Sequence, residues 1–280
     1  MKYLLSLLAL LLFTTGTYGQ SYSAATYNIR VSMQSDGGDY WEFRRQRVAN
    51  QLARLTLDIF GTQEGLEEQI RYLDQKFPDF SYVGVGRDDG EISGEYTAIF
   101  YDDTRFNKEK SGTFWLSDTP DEVSTGWDAA LPRICTYVLL RDESNDQHLW
   151  VFNTHLDHQG EEARLESLKL IHQKIEQLNT ADYPVILMGD LNALPDSEPI
   201  SYLSEKMNDA RSITQSEPEG PLGTFNGFDI SNPLDRRIDY IFVSDEVQVD
   251  NYAVDHEISY SRTPSDHLPV IIEFSISSGK

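Results

Sequence analysis

Six short segments of this chain each hold a residue able to bind metal or move a proton, and in five of them it stands at or just beyond an apolar, β-branched run. They are TYNIR with Asn28, GTQEG with Glu64, FNTHLDH with His155, MGDLNA with Asp190 and Asn192, RIDYIFVS with Asp239, and SDHLPV with Asp266 and His267. Short apolar runs of this kind read as buried strands. A polar residue at the end of such a strand is delivered to the edge of a sheet. The segments span Asn28 to His267, so the fold has to bring both ends of the chain to one place.

Length alone would allow two domains in 280 residues. No Pro/Gly/Ser-rich linker, low-complexity tract or fixed-period repeat divides them, so residues 20–280 are expected to form one domain with a large core. Helices are expected at Trp41–Leu55, Leu66–Phe77 and Glu161–Leu178, the last with Leu165, Leu168, Ile171, Ile175 and Leu178 on one face. Strands are expected at Tyr22–Ile29, Leu57–Thr62, Ser81–Gly86, Tyr96–Tyr101, Gly112–Leu116, Ile134–Leu140 and Leu149–Thr154. Four more follow at Val185–Met188, Ile238–Val243, Val247–Val254 and Val270–Phe274. Many strands and few helices call for two packed sheets with helices outside, an α/β sandwich.

Met1-Lys2, the apolar run Tyr3–Phe13 and the small residues Thr17-x-Gly19 read as a secretory signal peptide, residues 1–19, cleaved before Gln20. The run is too short for a membrane span, and no other segment is long and apolar enough. Cys135 is the only cysteine, so no intramolecular disulfide can form. Lying within ICTYVLL, it reads as a small buried hydrophobe. An exported, disulfide-free chain suits the bacterial periplasm or the medium around the cell. The formal charge is −23; without Lys2, 22 basic residues face 46 acidic ones, giving −24. Long duplex DNA is held by basic surfaces that release counterions, so small phosphoesters or short nucleic acids are the expected partners, and a monomer the expected state.

Each candidate residue has a plain structural alternative. Asp190 and Asn192 stand two apart at a strand end, where an extended chain points both the same way; G-D-x-N is also an ordinary turn. Glu64 could be a solvated loop acid, and Asn28 a cap. His155 could be a satisfied near-core imidazole. As a proton donor it would need an acid to orient it, and Glu95 is a candidate. Asp239 interrupts a strongly apolar run, so it needs a partner. That partner is either His267 or one of Arg236 and Arg237.

Taken in order, these motifs resemble the endonuclease/exonuclease/phosphatase family, over Ala25–Glu273. The family includes pancreatic-type deoxyribonucleases, neutral sphingomyelinases and nocturnin-like deadenylases. The resemblance implies a four-layer α/β sandwich, two central, mostly antiparallel sheets flanked by helices, with the site at one end. It also implies a divalent-metal-dependent phosphoester hydrolase, with Mg2+ or Mn2+ suited to hard oxygen ligands. Glu64, Asn28 and Asp266 are then the metal residues. Asp190 orients the attacking water, Asn192 steadies the transition state, and Asp239 with His267 forms an acid–histidine pair at the phosphate. His155, backed by Glu95, protonates the leaving group, and Arg133 is a candidate phosphate clamp. Trp115, Trp127, Phe225 and Phe228 could stack on a base or sugar. The motifs leave phosphodiesterase, nuclease and phosphatase open. A non-catalytic binding protein for a phosphorylated or glycan ligand is the alternative class.

Overall fold

A computed structural model describes residues 20–256, 258 and 262–277. The expected signal peptide, residues 1–19, lies outside them. One six-stranded sheet contains β1 (Ser21–Asn28), β2 (Ile59–Gln63), β3 (Phe80–Val83), β4 (Ile99–Asp102), β11 (Val247–Val254) and β12 (Val270–Ile276), in the order β11-β12-β1-β2-β4-β3. The other contains β5 (Phe106–Trp115), β6 (Ile134–Asp142), β7 (His148–His155), β8 (Val185–Asp190), β9 (Asn208–Asp209) and β10 (Asp239–Val243), in the order β5-β6-β7-β8-β10-β9.

Each sheet has one parallel pair at its centre, β1–β2 and β7–β8, and antiparallel pairs elsewhere. A parallel pair needs a long crossover. Here α1 (Trp41–Leu55) links β1 to β2, and α3 (Glu161–Leu178) links β7 to β8. Helices α2 (Glu67–Lys76), α4 (Glu198–Ser204) and α5 (Ala210–Ile213) complete the α-helices among the described residues, and a 3-10 helix, Gln34–Asp39, precedes α1.

Three apolar layers account for the continuous hydrophobic runs. Ala24, Ile59, Ile99 and Ile272 meet Val138, Val151, Ile186 and Ile241 between the sheets. On the outer face of the first sheet, Tyr27, Phe60 and Phe100 pack on Trp41, Val48, Leu52, Ile70 and Leu73 of α1 and α2. On the outer face of the second, Phe152, Leu187 and Tyr240 pack on Leu168, Ile171 and Ile175 of α3 and on Ile200 and Leu203 of α4. Central strands are therefore covered on both faces, which removes the polar alternation of a one-sided sheet. This is the α/β sandwich that the strand count implies. No helix among the described residues is long and apolar enough to cross a membrane.

Some elements differ from expectation. Strand β5 begins at Phe106 rather than Gly112; it is the sheet edge, and its exposed stretch carries Lys108 and Lys110 at a bulge. Edge strands lack the apolar pattern and use such lysines to discourage pairing with other chains. Strand β4 begins only at Ile99, and Tyr96 makes an isolated bridge to Gly65 instead. Helices α4 and α5 are seven and four residues long, too short to show a period. Cys135 is fully buried, as expected, and burial pushes its thiol pKa well up.

The two sheets are also joined by polar contacts beneath one edge. The Asn153 amide of β7 donates to the Thr62 and Ala98 carbonyls, both at 2.9 Å, and accepts from the Gln63 side chain of β2 at 2.7 Å. Gly189 lets β8 approach β7: at its φ of 150°, an added Cβ would stand 2.0 Å from the Thr154 carbonyl oxygen.

Candidate active site

The site forms where the central strands of both sheets end. Register places His155 opposite Asp190 and Asp190 opposite Asp239, so three neighbouring strands of the second sheet present ionisable groups side by side. Asn28 ends β1 beside Gln63, the last residue of β2, so Asn28 and the following Glu64 come from the first sheet. Asp266 and His267 lie just before β12, which runs antiparallel to β1 and so starts at the same edge. Three residues in the turns here adopt left-handed backbone: Arg30 at φ 56°, Glu64 at 64° and Asn192 at 47°. Such conformations cost non-glycine residues free energy and gather where a side chain must be aimed.

Asp190 is the hub. It is 1 % exposed. Its Oδ1 accepts from the Asn192 backbone N–H at 2.9 Å, and its Oδ2 accepts from the Asn28 amide at 3.0 Å. His155 Nε2 stands 3.5 Å and His267 Nε2 3.7 Å from the same Oδ2. Burial and the neighbouring Asp239 push the Asp190 carboxyl up to about 7, with His267 pulling the other way. A carboxylate poised there is matched to taking a proton from water at neutral pH.

Asp239 resolves its alternatives in favour of His267. Its Oδ2 meets His267 Nδ1 at 2.9 Å and accepts from the Thr224 hydroxyl at 2.6 Å. Arg237 instead pairs with Asp209, and Arg236 lies over the Phe225 ring. Burial opposes a charge on His267, but Asp239 and Asp190 outweigh it and hold the imidazole pKa well above its usual value.

The neighbourhood of His155 corrects one expectation. Glu95 is nearby, with Oε2 3.8 Å from His155 Nδ1, but no hydrogen bond forms. The Arg87 guanidinium holds both Glu95 oxygens, at 2.6 and 2.9 Å. His155 Nδ1 is left buried without a partner, while Nε2 meets the Asn192 amide nitrogen at 3.1 Å. Burial, then Arg133 and Arg87, hold the His155 pKa well below its usual value, so the free enzyme carries this imidazole neutral. The carboxylate that faces Nδ1 is already matched by Arg87.

Glu64 accepts from the Asn28 amide at 2.9 Å and from the Val31 N–H at 3.0 Å. Burial raises its pKa, but His267 and these donors outweigh that and lower it. Asn28 turns its nitrogen to Glu64 and Asp190 while its oxygen accepts from the Arg30 N–H at 3.0 Å. In this arrangement the Asn28 amide nitrogen bridges the two carboxylates.

The donor set suits a divalent cation. Glu64, His155 and Asp190 offer ligand atoms within 4.8 Å of one another. The Arg30 guanidinium stands 3.7 Å from Glu64 and 3.9 Å from Asp266, so positive charge already sits between these acids. Arg133 pairs with Asp157 at 3.2 Å and meets His158 at 3.0 Å, leaving its Nη1 buried and without a partner. Together with His155, Asp190, Asn192 and His267, Arg133 lines a cleft of about 470 Å3.

Phe225 lines this cleft and packs edge-on against His267. Trp115 is buried, with its indole N–H on the Arg87 carbonyl. Phe228 covers Arg44, and Trp127 lines a different groove.

The chain is similar to known proteins. The family model described as the endonuclease/exonuclease/phosphatase family matches residues 25–267. The chain belongs to this family. A crystal structure of an endonuclease/exonuclease/phosphatase family protein from Bacteroides thetaiotaomicron is 37 % identical, with TM-score 0.87, over 93 % of this chain and 99 % of that one. A mannosyl-6-phosphatase from the same organism is also 37 % identical, with TM-score 0.85, over 91 % of this chain and 100 % of that one. An uncharacterized protein of Acanthamoeba polyphaga mimivirus is 26 % identical over 254 residues, covering 84 % of this chain and 92 % of its own length. This family member is an enzyme acting on phosphoester bonds, within a family that depends on divalent metal.

Four residues at or near the site escape motif reading. Thr224 fixes Asp239, Arg87 engages Glu95, and Arg30 sits between the acids. Arg44 is fully buried and donates to the carbonyls of Ile29, Arg30 and Asp39, pinning the loop after β1. Arg30 closes the TYNIR segment, and Arg44 left a trace as a charge on the buried face of α1, with Trp41, Val48 and Leu52.

Proposed function

We propose that this protein is an exported phosphomonoesterase that uses magnesium or manganese to hydrolyse small phosphorylated sugars. The observation that carries the reading is the convergence of Asn28, His155, Asn192 and His267 on the single carboxylate of Asp190. The 37 % likeness to a mannosyl-6-phosphatase over nearly the whole chain supports a sugar phosphate. The acidic balance, −23 overall, argues against long polyanions.

Glu64 and Asp190, with Asp266 alongside, would hold the cation. Bound there, it supplies Lewis acidity toward the phosphoryl oxygens. Asp190 orients a water in line with phosphorus and takes its proton as the new P–O bond forms. His267, kept protonated by Asp239, and the Asn192 amide donate to the phosphoryl oxygens as negative charge gathers on them. Arg133 offers its free Nη1 to the same group. As the P–O bond to the sugar breaks, the departing oxygen takes a proton from His155. A phosphate dianion beside this imidazole offsets the burial and the arginines that keep it neutral in the free enzyme.

The test is turnover on hexose 6-phosphates, nucleotides and bis(p-nitrophenyl) phosphate, each with and without a chelator. Chelator-sensitive release of phosphate from the hexose phosphates supports the reading. Hydrolysis confined to the diester or to nucleotides would sink it. For export, mass spectrometry of the secreted protein should find a chain beginning at about Gln20, against a product retaining Met1 in the cytoplasm.

A further inference from the structure

A second cleft, of about 670 Å3, adjoins the catalytic one, and the two share Asn192 and Arg236 in their linings. Both volumes fall in the range of roughly 300–1,000 Å3 typical of ligand sites. The second cleft runs between the first turns of α3 and the loop from Ala193 into α4. It contains none of the residues given a role in the chemistry above except Asn192.

Its charges decide what it can accept. Four carboxylates, Glu161, Glu162, Asp196 and Glu198, line it against two guanidiniums, Arg164 and Arg236. A second phosphate would meet net negative charge, so a polynucleotide running on from the catalytic cleft is disfavoured. Mixed donors and acceptors without net positive charge suit hydroxyl groups. Apolar surface is there too: Leu194 is 44 % exposed, and Leu165 lies across the cleft at half burial. A pyranose ring presents hydroxyls at its rim and C–H groups on its faces.

Arg236 sits where the clefts meet. It is exposed, has no carboxylate partner among the described residues, and rests 5.2 Å from the Phe225 ring centroid. That ring packs against His267. Its donors are thus free at the point where a substrate would pass from one cleft to the other.

We propose that this second cleft is a subsite for the neutral, polyhydroxylated remainder of the substrate, so that the enzyme takes a phosphorylated oligosaccharide in preference to a lone sugar phosphate. The proposal rests on the phosphomonoesterase reading above. The phosphorylated sugar occupies the catalytic cleft, and uncharged sugar units continue past Asn192 and Arg236.

The test compares kcat/KM on a hexose 6-phosphate with that on di- and trisaccharides bearing the same 6-phosphohexose at the non-reducing end. Wild type should favour the oligosaccharides by about tenfold, a gain worth about 1.4 kcal/mol, mainly through KM. Leu194→Asp and Asp196→Trp, both exposed positions, should abolish the gain and leave hexose 6-phosphate turnover within about twofold. Binding of the unphosphorylated trisaccharide, followed by calorimetry, should weaken in the same variants. Equal kcat/KM on short and long substrates, or a gain kept by both variants, would overturn the subsite while leaving the phosphomonoesterase reading intact. Preference for a 5′-phosphorylated dinucleotide over every phosphosugar would overturn both. So would the absence of turnover on all phosphosugars together with no binding of the neutral trisaccharide.

Discussion

Gln63 of one sheet donates its side-chain N–H to Asn153 of the other at 2.7 Å, across 90 positions of sequence. Both side chains are fully buried. Glu64 follows directly after the first and His155 lies two residues beyond the second, so this hydrogen bond ties the sheets together just beneath the chemistry. Asn153→Ala should cost roughly 2–4 kcal/mol, because Gln63 loses an acceptor and the Thr62 and Ala98 carbonyls lose a donor in a dry place. Chemical denaturation in metal-free buffer measures it. A cost under about 1 kcal/mol would mean that water fills the gap.

Glu64→Gln removes a charge from the proposed cation site but preserves shape. Magnesium or manganese affinity, read by calorimetry, should fall at least tenfold, and most turnover should be lost. The melting temperature without metal should fall by only a few degrees, since the amide oxygen can still accept from Val31 although the amide nitrogen cannot accept from Asn28. Full activity at limiting metal would remove Glu64 from the site.

His155→Ala and Asp239→Asn separate two proton roles. A positioned general acid is worth roughly 10²–10⁴-fold. His155→Ala should therefore lose that factor on an alkyl phosphate and far less on a nitrophenyl phosphate, whose leaving group needs no proton. Asp239→Asn strips His267 of the 2.9 Å partner that keeps it charged and should slow both substrates alike. If His155→Ala slows both equally, the leaving-group assignment is wrong.

Asp157 gives a stability test by pH. Burial raises its carboxyl pKa, but the backbone N–H groups of Gly160, Gln159 and Ala130 and the Arg133 guanidinium outweigh that and hold it at about 2. An unfolded aspartate titrates near 3.9, so the folded value is depressed. The stabilisation is present above the unfolded value and is lost as pH falls through the folded one. It amounts to about 2–3 kcal/mol. Asp157→Asn should be less stable than wild type at pH 6, with the gap closing between about pH 4 and pH 2. A gap that does not change with pH would place its origin in packing.

Strand ends and the groups they carry were readable because central strands buried on both faces are long apolar runs, and a charge at the end of one stands out. Asp190, Asp239 and His267 are of this kind, and so is the α3 stripe of Leu168, Ile171 and Ile175. The closeness of Glu95 to His155 was readable, but the hold of Arg87 on both Glu95 oxygens was not. Whether two groups bond depends on a third, and Arg87 comes from a loop with no apolar pattern. The first half of the edge strand β5 and the short helices α4 and α5 were hidden for the same reason: none has an apolar pattern long enough to fix a period.

Glu64 rides on one sheet and Asp190 on the other, with the Asn28 amide reaching both. A cation drawn to these two acids is thus a rivet between halves of the molecule. At a hundredfold excess over its dissociation constant, a ligand confined to the native state adds about 2.7 kcal/mol to stability. On the proposed reading, metal starvation would loosen the sheets as well as silence the enzyme.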